Sequence, residues 1–159
     1  KIMIESAVVR PRERKICCGK TDSKGSSMSA ISLPSATKVV DAAIEKAREI
    51  GQPMNIAVVD DGGHLVAFAR MDGAIKASID ISIRKARTSI LMNAPTGALT
   101  AIAQPGAELY GLEQMCDGLV IFGGGIPLTV DDIVVGAIGV SAGSVEQDVS
   151  VAEAGVAAL

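Results

Sequence analysis

Aromatic side chains are almost missing from this sequence. They make up 2% of the residues, and tryptophan is absent. Because 48% of the residues are nevertheless hydrophobic, the core must be built mainly from aliphatic side chains. Proteins that bind single-stranded nucleic acids often stack the bases on aromatic rings, so this composition weakens the case for a nucleic-acid partner. The aromatic residues are Phe68, Phe122 and Tyr110.

Long apolar runs and patterned cysteines are missing as well. No stretch approaches the roughly 18 apolar residues that cross a bilayer, so we expect a soluble protein without a membrane partner. The cysteines are Cys17, Cys18 and Cys116, and they have neither metal-ligand spacing nor the pattern of a disulfide framework. We therefore expect a reduced, cytoplasmic protein without a bound metal ion.

Positive charge is scarce except at the start of the chain. Residues 1–27 hold seven Lys or Arg against three Asp or Glu, a net charge of +4, so the −3 of the whole chain leaves −7 for residues 28–159. An acidic body is a poor match for a polyanion. The basic stretch has no hydrophobic periodicity and no apolar core of a signal peptide. We expect residues 1–29 to be a disordered leader or an added extension, with Met28 a plausible natural start; the alternative is a basic docking arm. Residues 30–159 are expected to form the folded domain.

Hydrophobic periodicity predicts an α+β domain in which helices pack on an antiparallel sheet. Two or three strands fit the segments 119–122, 126–130 and 133–141. The other predicted elements are a helix over 35–50, a hairpin over 56–70, a helix over 75–92, short helical pieces near Pro95 and Pro105, and a helix after the capping box of Ser144 and Gln147. In the helix over 75–92, isoleucines indicate the buried face, which places Lys76, Arg84, Lys85 and Arg87 on the outer face.

The stretch "VIFGGGIPLTV", residues 120–130, raises the question of a phosphate-binding loop. Such a loop leads from a strand into the N-terminus of a helix. Here Ile126-Pro127 favours an extended exit instead. The glycines are expected to provide a left-handed backbone or a close approach between elements. They either admit a closely packed helix or form the floor of a shallow ligand pocket.

Four segments together resemble the GlcG/HbpS family, which also occurs as the C-terminal domain of PduO-type cobalamin adenosyltransferases. These are "VVDDGGHLVAFARMDGA", "RKA", "FGGGIPL" and "VVGAIGVSAGSVEQDVSVAEAG". The resemblance covers residues 30–159. It implies a profilin-like fold, with a five-stranded antiparallel sheet flanked by helices, and a homo-oligomer ranging from dimer to octamer.

The resemblance also makes haem a candidate ligand, because some family members bind it. Haem needs an apolar slot and an axial ligand. The single histidine, His64, follows the Asp-Gly-Gly turn of the predicted hairpin. In the haem-binding PduO domain the axial histidine lies near the first helix, and the first helix predicted here has no His, Met, Cys or Tyr. His64 is then either a solvent-facing residue at the strand end or the haem ligand, and a threonine or methionine elsewhere is the other candidate ligand.

Two functions remain open from the sequence. The first is binding or sensing of a small molecule. The alternative is an enzyme that acts on a small organic acid, with Arg70 holding a carboxylate and a carboxylate or lysine moving the proton. A purely structural subunit is the third possibility. The candidate ligand-binding residues are Arg70, Asp72, Lys85, Tyr110, Glu113, Gly123, Gly124, Gly125 and Pro127.

Overall fold

The computed structural model describes residues 30–159, so the predicted leader over residues 1–29 lies outside the described residues. The predicted α+β class is confirmed. The elements are α1 (Leu33–Glu49), β1 (Asn55–Asp60), β2 (Leu65–Arg70), α2 (Ser78–Met92), the short α3 (Thr100–Ala103), β3 (Gly125–Val130), β4 (Ile133–Ser141) and α4 (Val145–Val156). Short 3-10 turns at Thr96–Leu99 and Leu112–Gln114 belong to the predicted helical pieces.

Two hairpins lie side by side in one antiparallel sheet with the strand order β2-β1-β4-β3. The β1–β4 pair joins the hairpins, with Val58 opposite Ile138. Asp131 and Asp132 connect β3 to β4, and both have left-handed backbones, with φ of 49° and 63°. Such tight turns match the twist of the strands that they join. In this strand order, β2 and β3 are the edge strands.

The hydrophobic core lies between the sheet and the pair α1 and α4. Val39 and Ala43 of α1 and Val151 of α4 pack with Ile56 and Ile138 of the central strands. Caps fix where these helices begin: the Ser32 hydroxyl accepts a hydrogen bond from the Ser35 N–H in α1, and Ser144 and Gln147 form the predicted capping box in α4.

Helix α2 packs on the opposite face of the sheet through small and polar residues. Its buried residues are Ser78, Ser82, Lys85, Ala86, Thr88 and Ser89. The prediction that Lys85 lies on the outer face is wrong, because this side chain is fully buried. The reason is on the sheet: a Cβ at Gly139 would overlap the carbonyl oxygen of Ser82 and lie 2.6 Å from the N of Ala86. The helix comes too close for a large side chain next to Gly139, and Lys85 fits only because Gly124 has no side chain beside its ammonium group.

Within residues 30–159 the sheet has four strands, so the five-stranded prediction is wrong. The segment 119–122 is not a strand, because threonine side chains bond its backbone. The Val120 N–H donates to the Thr88 hydroxyl, and the carbonyls of the next two residues accept hydrogen bonds from Thr100 and Thr96. Hydrogen bonds with threonine side chains thus take the place of those that a neighbouring strand would make.

None of the helices within residues 30–159 is long and apolar enough to cross a membrane.

Candidate functional site

The glycine run allows a very close approach between elements. Gly123, Gly124 and Gly125 are all buried, and Gly124 has a left-handed backbone with φ of 112°. A Cβ at Gly124 would lie 2.7 Å from Lys85 Nζ and 2.7 Å from the Val140 carbonyl oxygen. The run leads into strand β3, as its proline predicts, whereas a phosphate loop leads into a helix.

A buried ion pair lies behind the glycine run. Lys85 Nζ donates to Asp148 Oδ2 at 2.6 Å and to the Val140 carbonyl oxygen at 2.9 Å, while Asp148 Oδ1 accepts from the Gly143 N–H at 3.0 Å. The ring of Phe122 covers the ammonium, with its centroid 4.8 Å from Nζ. The pair links α2 to the start of α4.

Burial dominates the titration of both charged groups. It lowers the pKa of the Lys85 ammonium below its ordinary value, although the hydrogen bond and charge of Asp148 oppose that shift. Burial also raises the pKa of the Asp148 carboxyl, against the opposing effects of Lys85 and the backbone N–H groups. Each charge is therefore tolerated in the interior only because the other is present.

Thr96 holds the glycine run from the other side. Its hydroxyl accepts from the Gly125 N–H at 3.0 Å and donates to the Phe122 carbonyl at 2.8 Å. The Gly124 carbonyl in turn accepts from the Val140 N–H at 2.8 Å. The run is thus fixed at both ends and in the middle.

The glycine run forms the floor of an apolar cavity of about 500 Å³. One wall is α4 and the other is the turn that begins at Pro95. The remaining lining residues are Gly97, Ala98, Ile126, Val149, Glu153, Val156 and Ala157. We call this cavity the glycine-floor pocket. Its volume falls within the range of roughly 300–1,000 Å³ that is typical of small-molecule sites.

The structure separates the other predicted site residues from the glycines. Arg70 and Asp72 line a different cavity, of about 390 Å³, together with Ile44 and Arg48 of α1. Lys85 lies behind the glycine floor, where Asp148 and Val140 take up its ammonium group. The geometry therefore does not bring Arg70, Asp72 and Lys85 into one acid-binding site.

The remaining predicted residues lie outside the glycine-floor pocket. Tyr110 is exposed in the loop after α3, and Glu113 is half-buried in the following 3-10 turn, where its Oε2 has no hydrogen-bond partner among the described residues. Pro127 lies half-buried on the edge strand β3.

Two residues that position the pocket floor were not predicted from the sequence. Thr96 carries no signal of its role. Asp148 does: it shares the buried face of α4 with Val151, Ala152 and Gly155, at the spacing i, i+3, i+4 and i+7. A carboxylate in register with a buried stripe indicates a buried counter-charge.

The residues that line the glycine-floor pocket fit an apolar molecule but do not fit haem. None of those described is a His, Cys, Met or Tyr that could bind the iron. His64 is exposed beside the β1–β2 turn, where its backbone N–H donates to Asp60 Oδ1. The described part of the chain also has no cluster of three or more His, Cys, Asp or Glu suited to a metal ion.

Comparison with known proteins identifies relatives that cover nearly all of the described residues. An uncharacterized 15.0 kDa protein in the dhaT-dhaS intergenic region of Citrobacter freundii is 44% identical over 82% of this chain and 92% of its own length. The crystal structure of Klebsiella pneumoniae protein ORFY superimposes with a TM-score of 0.81 at 38% identity, over 85% of this chain and 94% of that one.

A haem complex is also among the similar structures. The PduOC:haem complex superimposes with a TM-score of 0.78 at 38% identity, over 82% of this chain and 95% of that one. Residues 31–157 match the family described as haem-degrading protein HbpS-like. The chain therefore belongs to the HbpS-like family, in agreement with the resemblance of its sequence motifs to GlcG and HbpS.

Proposed function

We propose that this chain binds a small apolar molecule in the glycine-floor pocket and serves as a binding or sensing protein. The observation that carries the proposal is the floor itself. The backbone of three successive glycines forms the surface at the base of an apolar cavity. Hydrogen bonds from Thr96 and Val140 hold that surface in place, so little ordering is required when a ligand binds.

The family supports a small-molecule ligand, since a relative at 38% identity has been solved as a haem complex. Haem itself is the second candidate for this chain. A residue outside the described lining of the pocket would have to bind the haem iron. Different substitutions should therefore abolish haem binding and binding in the glycine-floor pocket. The enzymatic alternative is not carried further, because Lys85 is sealed behind the floor and Arg70 lies in another cavity.

A neutral dye such as Nile red is expected to bind saturably to the glycine-floor pocket. Ala98→Phe should weaken this binding about tenfold or more, because the phenyl group would enter the pocket and a loss of 1.4 kcal/mol is already a factor of ten. Ala98 is exposed, so the substitution should leave the fold intact. Fluorescence titration measures the affinity.

Ala101→Phe is the matched control, since Ala101 is exposed on α3 and does not line the pocket. If Ala98→Phe and Ala101→Phe bind the dye with the same affinity, the dye binds outside the glycine-floor pocket. The support for the pocket would then be lost. Haemin titrated in parallel separates the two ligands. A sharp Soret band that is lost in His64→Ala would assign this chain a haem site distinct from the glycine-floor pocket.

The chain is also proposed to form a homo-oligomer. Apolar side chains are exposed on the loop after α3, where Tyr110 is 65% and Met115 is 57% exposed, and Val130 is exposed separately at the end of the edge strand β3. Soluble monomers rarely expose apolar patches of this kind, and a symmetric dimer would bury them.

Light scattering at micromolar concentration should therefore give at least twice the mass of 16.2 kDa of one chain. The double substitution Tyr110→Ser/Met115→Ser should shift the population toward the monomer, while Ile75→Ser, an exposed apolar residue before α2, should not. A single-chain mass that persists on concentrating would contradict the proposal.

A further inference from the structure

The glycine-floor pocket has acidic surroundings and no available cation among the described residues. Glu153 is the single ionisable residue in its lining. The elements that form the walls follow the same pattern. Residues 93–107 and β3 contain no charged residue, and α4 contains Glu146, Asp148 and Glu153 but no Lys, Arg or His. Among the described residues, the lining and the walls of this pocket therefore carry negative charge only.

The end of α4 adds to this negative character. Val156, the last residue of the helix, and Ala157, its C-cap, both line the pocket. The C-terminal end of a helix carries a partial negative charge, which basic residues in the last turn often offset. The last turn of α4 has none. Glu153 and the C-terminal end of α4 are thus two independent sources of negative charge at the same pocket.

The nearest buried cation cannot compensate an acidic ligand. Lys85 lies behind Gly124, and its ammonium is already bonded to Asp148 and to the Val140 carbonyl. Arg48 and Arg70 line the other cavity. A carboxylate placed in the glycine-floor pocket would lose water without gaining a counter-charge, which is unfavourable.

We infer that the glycine-floor pocket selects apolar ligands that carry a protonated amine toward Glu153, and that it rejects apolar carboxylates. This inference rests on the proposed function and names the ligand class of the same site. It also agrees with the poor fit to haem, whose propionates are carboxylates.

Three probes with one ring system test the selectivity: 1-naphthylmethylamine, 1-naphthylmethanol and 1-naphthylacetate. Titrated into the full chain at neutral pH and low salt, the amine should bind roughly three- to tenfold more tightly than the alcohol, and the carboxylate more weakly than both. Glu153→Gln should reduce the preference for the amine over the alcohol. Glu146→Gln, at the other end of α4 and outside the lining, should keep the wild-type order.

The outcomes separate this inference from the proposed function. If the alcohol binds but the amine and the carboxylate bind equally well, the selectivity is overturned while the pocket stands. A preference for the amine that persists unchanged in Glu153→Gln overturns the role of Glu153. If the alcohol does not bind, or binds equally to Ala98→Phe, the proposed function fails and the inference fails with it.

Discussion

Lys85→Met should lower the free energy of unfolding by about 3–5 kcal/mol, as expected when one partner of a buried ion pair is removed. Methionine keeps most of the volume of the lysine stem and removes only the ammonium group. Asp148 would then remain buried, with the Gly143 N–H but without its counter-charge. Urea denaturation at one fixed chain concentration measures the loss.

Lys76→Met provides the matched control, because Lys76 is exposed just before α2. Its effect should stay within about 0.5 kcal/mol. The double variant Lys85→Met/Asp148→Leu should recover much of the lost stability, because no isolated charge remains buried. A loss below about 1 kcal/mol in Lys85→Met would show that water reaches Asp148 and that the pair is not sealed.

Gly124→Ala should lower the free energy of unfolding by about 3 kcal/mol, from backbone strain and steric overlap combined. A residue with a Cβ is strained at the left-handed φ of 112°. The added methyl group would also lie 2.7 Å from Lys85 Nζ and from the Val140 carbonyl oxygen, and 2.9 Å from Asp148 Cβ. These neighbours belong to three elements, so relief requires several of them to move.

Gly106→Ala separates the two effects in the same denaturation measurement. Gly106 also has a left-handed backbone, with φ of 85°, but no atom lies within 4 Å of the Cβ position. Its substitution should cost only about 1 kcal/mol, from backbone strain alone. Equal losses in the two variants would mean that the contact between Gly124 and the ion pair relaxes easily, and the floor would then not be rigid.

Local signals explain why much of the fold was predicted from the sequence. The capping box of Ser144 and Gln147 marks the start of α4, and Asp131-Asp132 marks the turn of the second hairpin. The extended exit from the glycine run follows from Pro127 in the same way. In each case the residues that determine the structure lie within a few positions of the structure that they form.

The mispredicted parts depend on partners that are distant in the sequence. Residues 119–122 have the composition of a strand, but threonines of α2 and of the turn after it bond their backbone instead. Lys85 was placed outside because the isoleucines of α2 indicated a different buried face. The partner that decides that face is Gly139, which lies more than fifty positions along the chain.

The surroundings of the glycine run were predicted in part for the same reason. The sequence indicated that the glycine run admits either a closely packed helix or a ligand, and the structure places Gly124 against Lys85 of α2 at the base of a cavity. The carboxylate partner of Lys85 was missed, because the spacing of Asp148 marks it as buried without saying which residue it meets. Pairing between α2 and α4 is set only by the folded sheet between them.

The close packing of α2 on Gly139 has a consequence for how this interface can change in evolution. Most helix–sheet interfaces are limited by polarity, so one large aliphatic residue can replace another. Here the limit is volume: serine and alanine on α2 differ little in size, whereas at Gly139 even the methyl group of an alanine would overlap the carbonyl oxygen of Ser82. We therefore expect substitutions at this interface to exchange small polar and small apolar residues but not to introduce larger side chains. The reverse pattern is expected between α1 and the sheet.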